Sequence, residues 1–144
     1  MTLKSIDKMN IRARSGLYQI EIPSSYSYEE DGDILAIYND ANGVGATSVT
    51  GYHISKDYNF VISDELQDFV ESIDSSAILD DNNITECTTD SCSGEFIDNS
   101  GRYWRVWVLF SNCRAVFVSY NCDIADKYVE KSAIDSIVKS VVST

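Results

Sequence analysis

The stretch "GRYWRVWVLFSNCRAVFVSYNC", residues 101–122, decides the fold. A strand on the surface of a sheet alternates apolar and polar residues. Here Trp104, Val106, Val108 and Phe110 share one face, and Tyr103, Trp107 and Leu109 share the other. After a reversal at Asn112-Cys113, the second strand offers Ala115 and Phe117 to the first face, and Val116, Val118 and Tyr120 to the second. A hairpin apolar on both faces needs cover on both faces, and the chain supplies two amphipathic segments. In "SDELQDFVESI" (63–73), Leu66, Phe69, Val70 and Ile73 fall at i, i+3, i+4 and i+7, one stripe of a helix. In the tail, Ile134, Ile137, Val138 and Val141 repeat that spacing. One helix on each side of an antiparallel sheet is the economical arrangement. Both tryptophans are then expected to be buried, and Arg105 to lay its stem along the cover or to meet a carboxylate.

Working outward, "LYQIEI" (17–22) alternates Tyr18, Ile20 and Ile22 with polar residues and reads as a strand that Pro23 ends. Asp31-Gly32 marks a turn into a strand over 33–39, and Asn42-Gly43 a turn into a third strand over 44–54. Gly45 and Gly51 inside that third strand allow a bulky neighbour to approach. Ser63 or Asp64 is positioned to cap the first helix. Short strands near 84–88 and 94–98 follow, joined by "TDSCSG". Ser132-x-x-Asp135 is close to a capping box and is expected to restart the second helix after a small break. The length, 144 residues, predicts one domain burying roughly 68–70% of its unfolded surface. Its expected parts are a loosely attached polar arm over 1–16 and a sandwich over 17–144.

Charge divides the chain. The net value is −12, and the excess is not spread evenly. Between Asp57 and Gly101 stand twelve acidic residues and no Lys or Arg; the other eleven acids meet eleven bases. The excess reads either as a solvated acidic face that aids solubility or as a docking surface for a basic partner. A binder of a phosphate backbone needs a basic stripe, so nucleic acid is excluded as a partner. The longest apolar run, Val106 to Phe110, is far short of the ~20 residues of a membrane span. "MTLKSIDKMNIRARSG" has basic residues without an apolar core, so no secretory signal is expected and the cytoplasm is the expected location. Cys87, Cys92, Cys113 and Cys122 are accordingly expected as free thiols, with Cys87 and Cys92 the pair to bridge if oxidation occurs.

No set of catalytic residues emerges. His53 is the only histidine, and Cys122 is the one nucleophile it could serve, with nothing local to mark either. There is no C-x-x-C, phosphate-binding glycine loop or nucleophile elbow. "DDNNITE" (80–86) lacks the glycine and closing glutamate of a calcium loop, and Asn83-Ile84-Thr85 matches a glycosylation sequon. Neither a metal nor a cofactor is expected. Tyr26, Tyr28, Tyr38, Tyr52 and Tyr58 are numerous enough to line a groove, most of them otherwise completing the core.

The order of elements, with "LYQIEIPSSYSYEEDGD" at the start and "WVLFSNCRAVFVSYNC…AIDSIVKSV" at the end, resembles the PsbP-like α/β/α sandwich over residues 17–142. Within that group the chain is similar to small intracellular bacterial domains of unknown function. The resemblance implies an α+β, three-layer α/β/α sandwich with a seven-stranded, mainly antiparallel sheet in the order 1237654. The strands over 44–54, 102–110 and 113–121 would then be central. It also implies protein binding rather than catalysis, and no functional residue is carried over from it. The functional expectation is an acidic, non-enzymatic domain that docks a basic protein partner, with an immunity protein against a basic toxin as the concrete version. The partner-binding candidates are Asp64, Asp68, Glu71, Asp74, Asp80, Asp81 and Tyr58. An effector-loading secretion chaperone, or a small-molecule or enzymatic domain with a pocket between sheet and helix, are the alternatives. A monomer or weak dimer is expected.

Overall fold

The 101–122 hairpin sits in the middle of the structure. The computed structural model describes residues 7–144. In chain order the strands before the first helix are β1 (Lys8–Arg12), β2 (Tyr18–Pro23), β3 (Ser27–Asp31), β4 (Ile34–Tyr38) and β5 (Gly45–His53). Helix α1 (Ile62–Ile73) follows, then β6 (Ile84–Cys87), β7 (Ser91–Ile97), β8 (Arg102–Ser111) and β9 (Arg114–Asp123). A short 3-10 turn (Ile124–Asp126) leads to α2 (Lys131–Lys139) and β10 (Val142–Ser143). Seven strands form one antiparallel sheet in the order β3-β4-β5-β9-β8-β7-β6, so β5, β9 and β8 are central. The remaining three form a small sheet, β1-β2-β10.

The two faces of the hairpin divide as their side chains require. Val106, Val108 and half-buried Trp104, Phe110 and Phe117 pack with Ile62, Leu66 and Val70 of α1. On the other face Tyr103, Trp107, Val116, Val118 and Tyr120 pack with Ile134, Ile137 and Val138 of α2 and with Tyr18, Ile20 and Ile22 of β2. Each fully buried aliphatic side chain contributes roughly 1.5–3 kcal/mol. The second cover layer is thus a helix together with a small sheet. Gly51 makes room for it, because a Cβ there would come within 2.9 Å of the Tyr18 ring.

The expected strand order holds, but its first member is β3 rather than residues 17–22. Beyond Pro23 the chain turns, with Tyr26 N–H donating to the Pro23 carbonyl, and β2 crosses the face of the large sheet. Its partners are residues 8–12, which had been expected to be part of a loose arm. The arm expectation is corrected for the described residues: Ile11 and Ala13 are buried and β1 pairs with β2 along its whole length. Residues 1–6 lie outside the described residues. β3 is polar and lies at the edge of the sheet, so its sequence carries no strand signal.

Other local expectations shift as well. Helix α1 begins after Val61 with no side-chain cap, so Ser63 and Asp64 lie inside the first turn, where Asp64 and Glu65 favour the helix dipole. Helix α2 begins after Glu130, again without a side-chain cap, and Asp135 pairs instead with Arg105 at 2.6 Å and Lys131 at 2.9 Å. "TDSCSG" is not a loop: β7 runs through its last four residues and the hairpin closes over 88–90. Trp107 is buried, but Trp104 is only half-buried and donates its Nε1–H to Asp98 at 2.9 Å. Finally, not all four thiols are free. Cys87 and Cys92 face each other across β6 and β7 with Cα atoms 4.0 Å apart and are joined by a disulfide. A register shift between Ile84 and Glu86 sets that pairing. Cys113 and Cys122 are free.

Candidate functional site

Helix α1 buries Ile62, Leu66 and Val70 and turns its acids outward. Asp64, Asp68 and Glu71, at i, i+4 and i+7, form one exposed stripe. Four ion pairs occur among the described residues: Arg14–Glu30, Arg102–Asp123, Arg105–Asp135 and Lys131–Asp135. None of them involves any of the twelve acids between Asp57 and Gly101. Every described cation that finds a carboxylate finds it elsewhere.

The predicted site residues fall into two groups. Asp64, Asp68 and Glu71 are exposed on the stripe, and Tyr58 is 53% exposed at the helix's N-terminal side. The Tyr58 hydroxyl donates to Glu65 Oε1 at 2.5 Å, and that hydrogen bond raises the phenol's pKa. Asp74 has a different role. One carboxylate oxygen accepts from the Ser76 hydroxyl and amide and from Asn99 Nδ2, the other from the Asn99 amide. Hydrogen bonds from Ser76 hold its carboxyl below the usual range. Asp80 likewise closes its own turn by accepting from Asn82 N–H at 2.9 Å, while Asp81 beside it is exposed. The loop carrying them is tied to α1 through Gln67, which accepts from Leu79 N–H and donates to the Ala77 carbonyl. Asp74 and Asp80 therefore hold the loop in shape.

Beside the stripe lies a feature no single segment reveals. A groove of about 560 Å³ runs between α1 and the end of β5, lined among others by Thr50, Tyr52, Tyr58, Phe69 and Phe117, with Glu65 and Asp68 on its rim. The Tyr52 and Phe117 rings meet edge-on at 5.5 Å, as do Phe69 and Phe117 at 5.2 Å. Tyr52 is 50% exposed. Most of the five tyrosines are expected in the core; Tyr52 and Tyr58 line this groove instead, and Tyr28 is 41% exposed. Tyr26 is buried, and Tyr38 donates to Glu29. A second cleft, of about 730 Å³, opens on the opposite side of the large sheet between β6–β8 and α2, where Arg105 pairs with Asp135 and covers the Trp107 ring at 4.5 Å.

His53 and Cys122 do not meet. His53 stands opposite Arg114 at one end of the β5–β9 pairing, and Cys122 opposite Gly45 at the other, eight β9 residues from Arg114. At ~3.3 Å per residue they are roughly 26 Å apart. Cys122 is also fully buried, which raises its thiol pKa. One buried carboxylate, Glu130, went unnoticed in the sequence. It is buried, accepts from the hydroxyls of Tyr26 at 2.5 Å and Tyr120 at 3.1 Å, and accepts from the amides of Val44 and Gly45. These partners fix the start of β5 to the start of α2, so its role is structural.

Solved structures share this architecture. Cyanobacterial PsbP (CyanoP) from Synechocystis sp. PCC 6803 superposes with a TM-score of 0.70 at 11% identity, covering 99% of this chain and 95% of its own. The Saccharomyces cerevisiae Ran-binding protein Mog1p gives 0.60 at 11% identity, covering 96% of each chain. A Bacteroides thetaiotaomicron protein gives 0.62 at 13% identity; 97% of this chain matches, spanning about half (49%) of that one. No protein-family model and no curated protein matches the sequence. The fold is therefore the PsbP-like one that the sequence resembles, and at these identities the likeness concerns the fold alone. Among the described residues no helix is long and apolar enough to cross a membrane.

Proposed function

We propose that this chain is a non-enzymatic protein-binding domain whose docking surface is the acidic face of α1. One observation carries the reading: twelve acids in one contiguous third of the chain, none ion-paired within the described residues. Solubility alone needs no such concentration of one sign, and an uncompensated field of this kind steers a basic partner. The name of Mog1p, a Ran-binding protein of the same fold, is consistent with protein binding. The partner class is a basic protein. A toxin neutralised by this domain is the most concrete form, and a secreted effector carried by it is the alternative.

The test begins with the partner captured from the source organism. Its association rate is then followed as salt rises past ~0.1 M, where the screening length is about 10 Å. A steep fall is expected, and a further drop of about tenfold or more when Asp64, Asp68 and Glu71 become lysines. An association rate indifferent to both would overturn the reading. Protection of cells from a co-expressed basic toxin separates neutralisation from carriage.

A further inference from the structure

The geometry points to the groove between α1 and the end of β5 as the receptor for one arginine side chain of the basic partner, an inference that rests on the docking reading above. The groove has the two surfaces that a guanidinium uses. Its walls are aromatic: Tyr52 and Phe69 each stand edge-on to Phe117, and all three rings line the space. Its rim is anionic: Glu65 and Asp68, three residues apart on α1, lie on the same side of the helix. Glu65 is held in place through Oε1 by the Tyr58 hydroxyl, which leaves its second oxygen to accept. Asp68 has no hydrogen-bond or ion-pair partner among the described residues, so both its oxygens remain available.

A planar guanidinium stacks on an aromatic face through its flat side and gives paired N–H donors to a carboxylate through its edge. An ammonium meets ring and carboxylate only as a point charge, without planar stacking or a paired-donor edge, so lysine fits the walls and rim less fully. The groove, at about 560 Å³, is wide enough for an arginine together with the peptide on either side of it. Tyr52 and Tyr58 are about half exposed, which leaves aromatic surface for such a side chain to cover.

The test uses the full chain and three capped tripeptides, Gly-Arg-Gly, Gly-citrulline-Gly and Gly-Lys-Gly, followed by amide chemical shifts. Saturable shifts are expected at residues 50–54 and 65–72 with the arginine peptide. The citrulline peptide, isosteric but uncharged, should bind about tenfold more weakly, and the lysine peptide should fall between them. Tyr52→Leu keeps apolar cover but removes the ring, and Asp68→Asn removes a rim charge; each should weaken the arginine peptide severalfold while the rest of the spectrum is unchanged. Equal binding of arginine and citrulline, no saturation, or shifts that map to another surface would overturn the inference. Asp64 and Glu71 do not line the groove, so Asp64→Lys with Glu71→Lys tests the docking face separately. If that pair slows association with the captured partner while the tripeptides fail to bind, the acidic face stands and the arginine groove falls.

Discussion

Replacing Glu130 with alanine is expected to be among the most damaging single changes to stability in this chain. The residue is 5% exposed and its carboxylate is the sole acceptor holding four donors together. Oε1 accepts from Val44 N–H at 2.9 Å, Gly45 N–H at 3.0 Å and Tyr120 Oη at 3.1 Å; Oε2 accepts from Tyr26 Oη at 2.5 Å. Truncation leaves two amides and two phenols facing a small void. Each buried donor left without its acceptor costs ~1–3 kcal/mol, so with partial relaxation the network loses ~3–5 kcal/mol, a fifth or more of the ~5–15 kcal/mol that holds a typical domain folded. Glutamine separates loss of the acceptor from loss of charge. It retains Oε1 and its three donors, and presents an amide to Tyr26, whose hydroxyl can rotate and accept. Glu130→Gln should therefore cost ~1–2 kcal/mol, the scale of one weakened hydrogen bond. The assay is denaturant unfolding followed by circular dichroism, with the midpoint shift read at constant slope. An alanine variant within ~1 kcal/mol of the parent, or a glutamine variant as damaged as alanine, would refute the role of this network.

Alkaline pH should destabilise the fold through its buried phenols. Burial pushes Tyr18 up to about 12, and burial together with Glu130 or Glu95 raises Tyr26, Tyr120 and Tyr103 further. The unfolded phenols ionise near 10 while the folded ones keep their protons, so stability is intact below about pH 10 and is lost as pH rises toward the folded values; an unfolding midpoint unchanged across that range would count against it. Thiol titration of denatured protein prepared without reductant should count two free thiols, Cys113 and Cys122, and four after reduction. Four before reduction would show the bridge unformed and agree with the reducing compartment expected from the sequence. A small aqueous quencher should reach half-buried Trp104 and spare Trp107, which is 7% exposed; equal quenching of the two in single-tryptophan variants would contradict the layer assignment.

The central part of the fold was legible because it depends on side-chain periodicity. The two-sided hairpin demanded two covers, and the helical stripes at 62–73 and 131–139 supplied them. Of the two expectations for Arg105, a stem along the cover or a carboxylate partner, the structure shows the carboxylate, Asp135. The edges were harder to read. β3, "SYEED", is an edge strand with four polar residues in five, and its strand character comes only from pairing with β4. β1 did carry a signal: Met9, Ile11 and Ala13 alternate with Asn10 and Arg12, a short period-two pattern masked by its charge. Tyr18, Ile20 and Ile22 correctly read as a strand, but the face they bury depends on partners that the local pattern does not name.

The candidate site was legible in its charge and hidden in its shape. Residues 57–101 announce an acidic surface by composition alone. The groove beside it assembles side chains from four separate segments, at 50–55, 58, 65–72 and 117, and no spacing links them. The same applies to Glu130: its partners at 26, 44–45 and 120 are remote, and in sequence it looks like any solvated acid in a charged stretch. Asp74 and Asp80 illustrate the converse, since composition places them with the docking acids while their hydrogen bonds commit them to the loop.

The most direct test of the docking face compares two triple variants of equal net charge. In one, Asp64, Asp68 and Glu71 of α1 become lysine; in the other, Asp7, Glu21 and Asp40, also exposed but set on the β1–β2 side and beyond the far end of β4, become lysine. Both change the total by the same amount, so any difference reports position rather than net charge. Affinity for the captured basic partner is measured for each, after confirming that both unfold like the parent. The account predicts that the α1 variant loses binding while the other keeps affinity within about threefold of the parent, the modest effect of distant, screened charges. Equal losses in the two variants, or retained binding by the α1 variant, would contradict it.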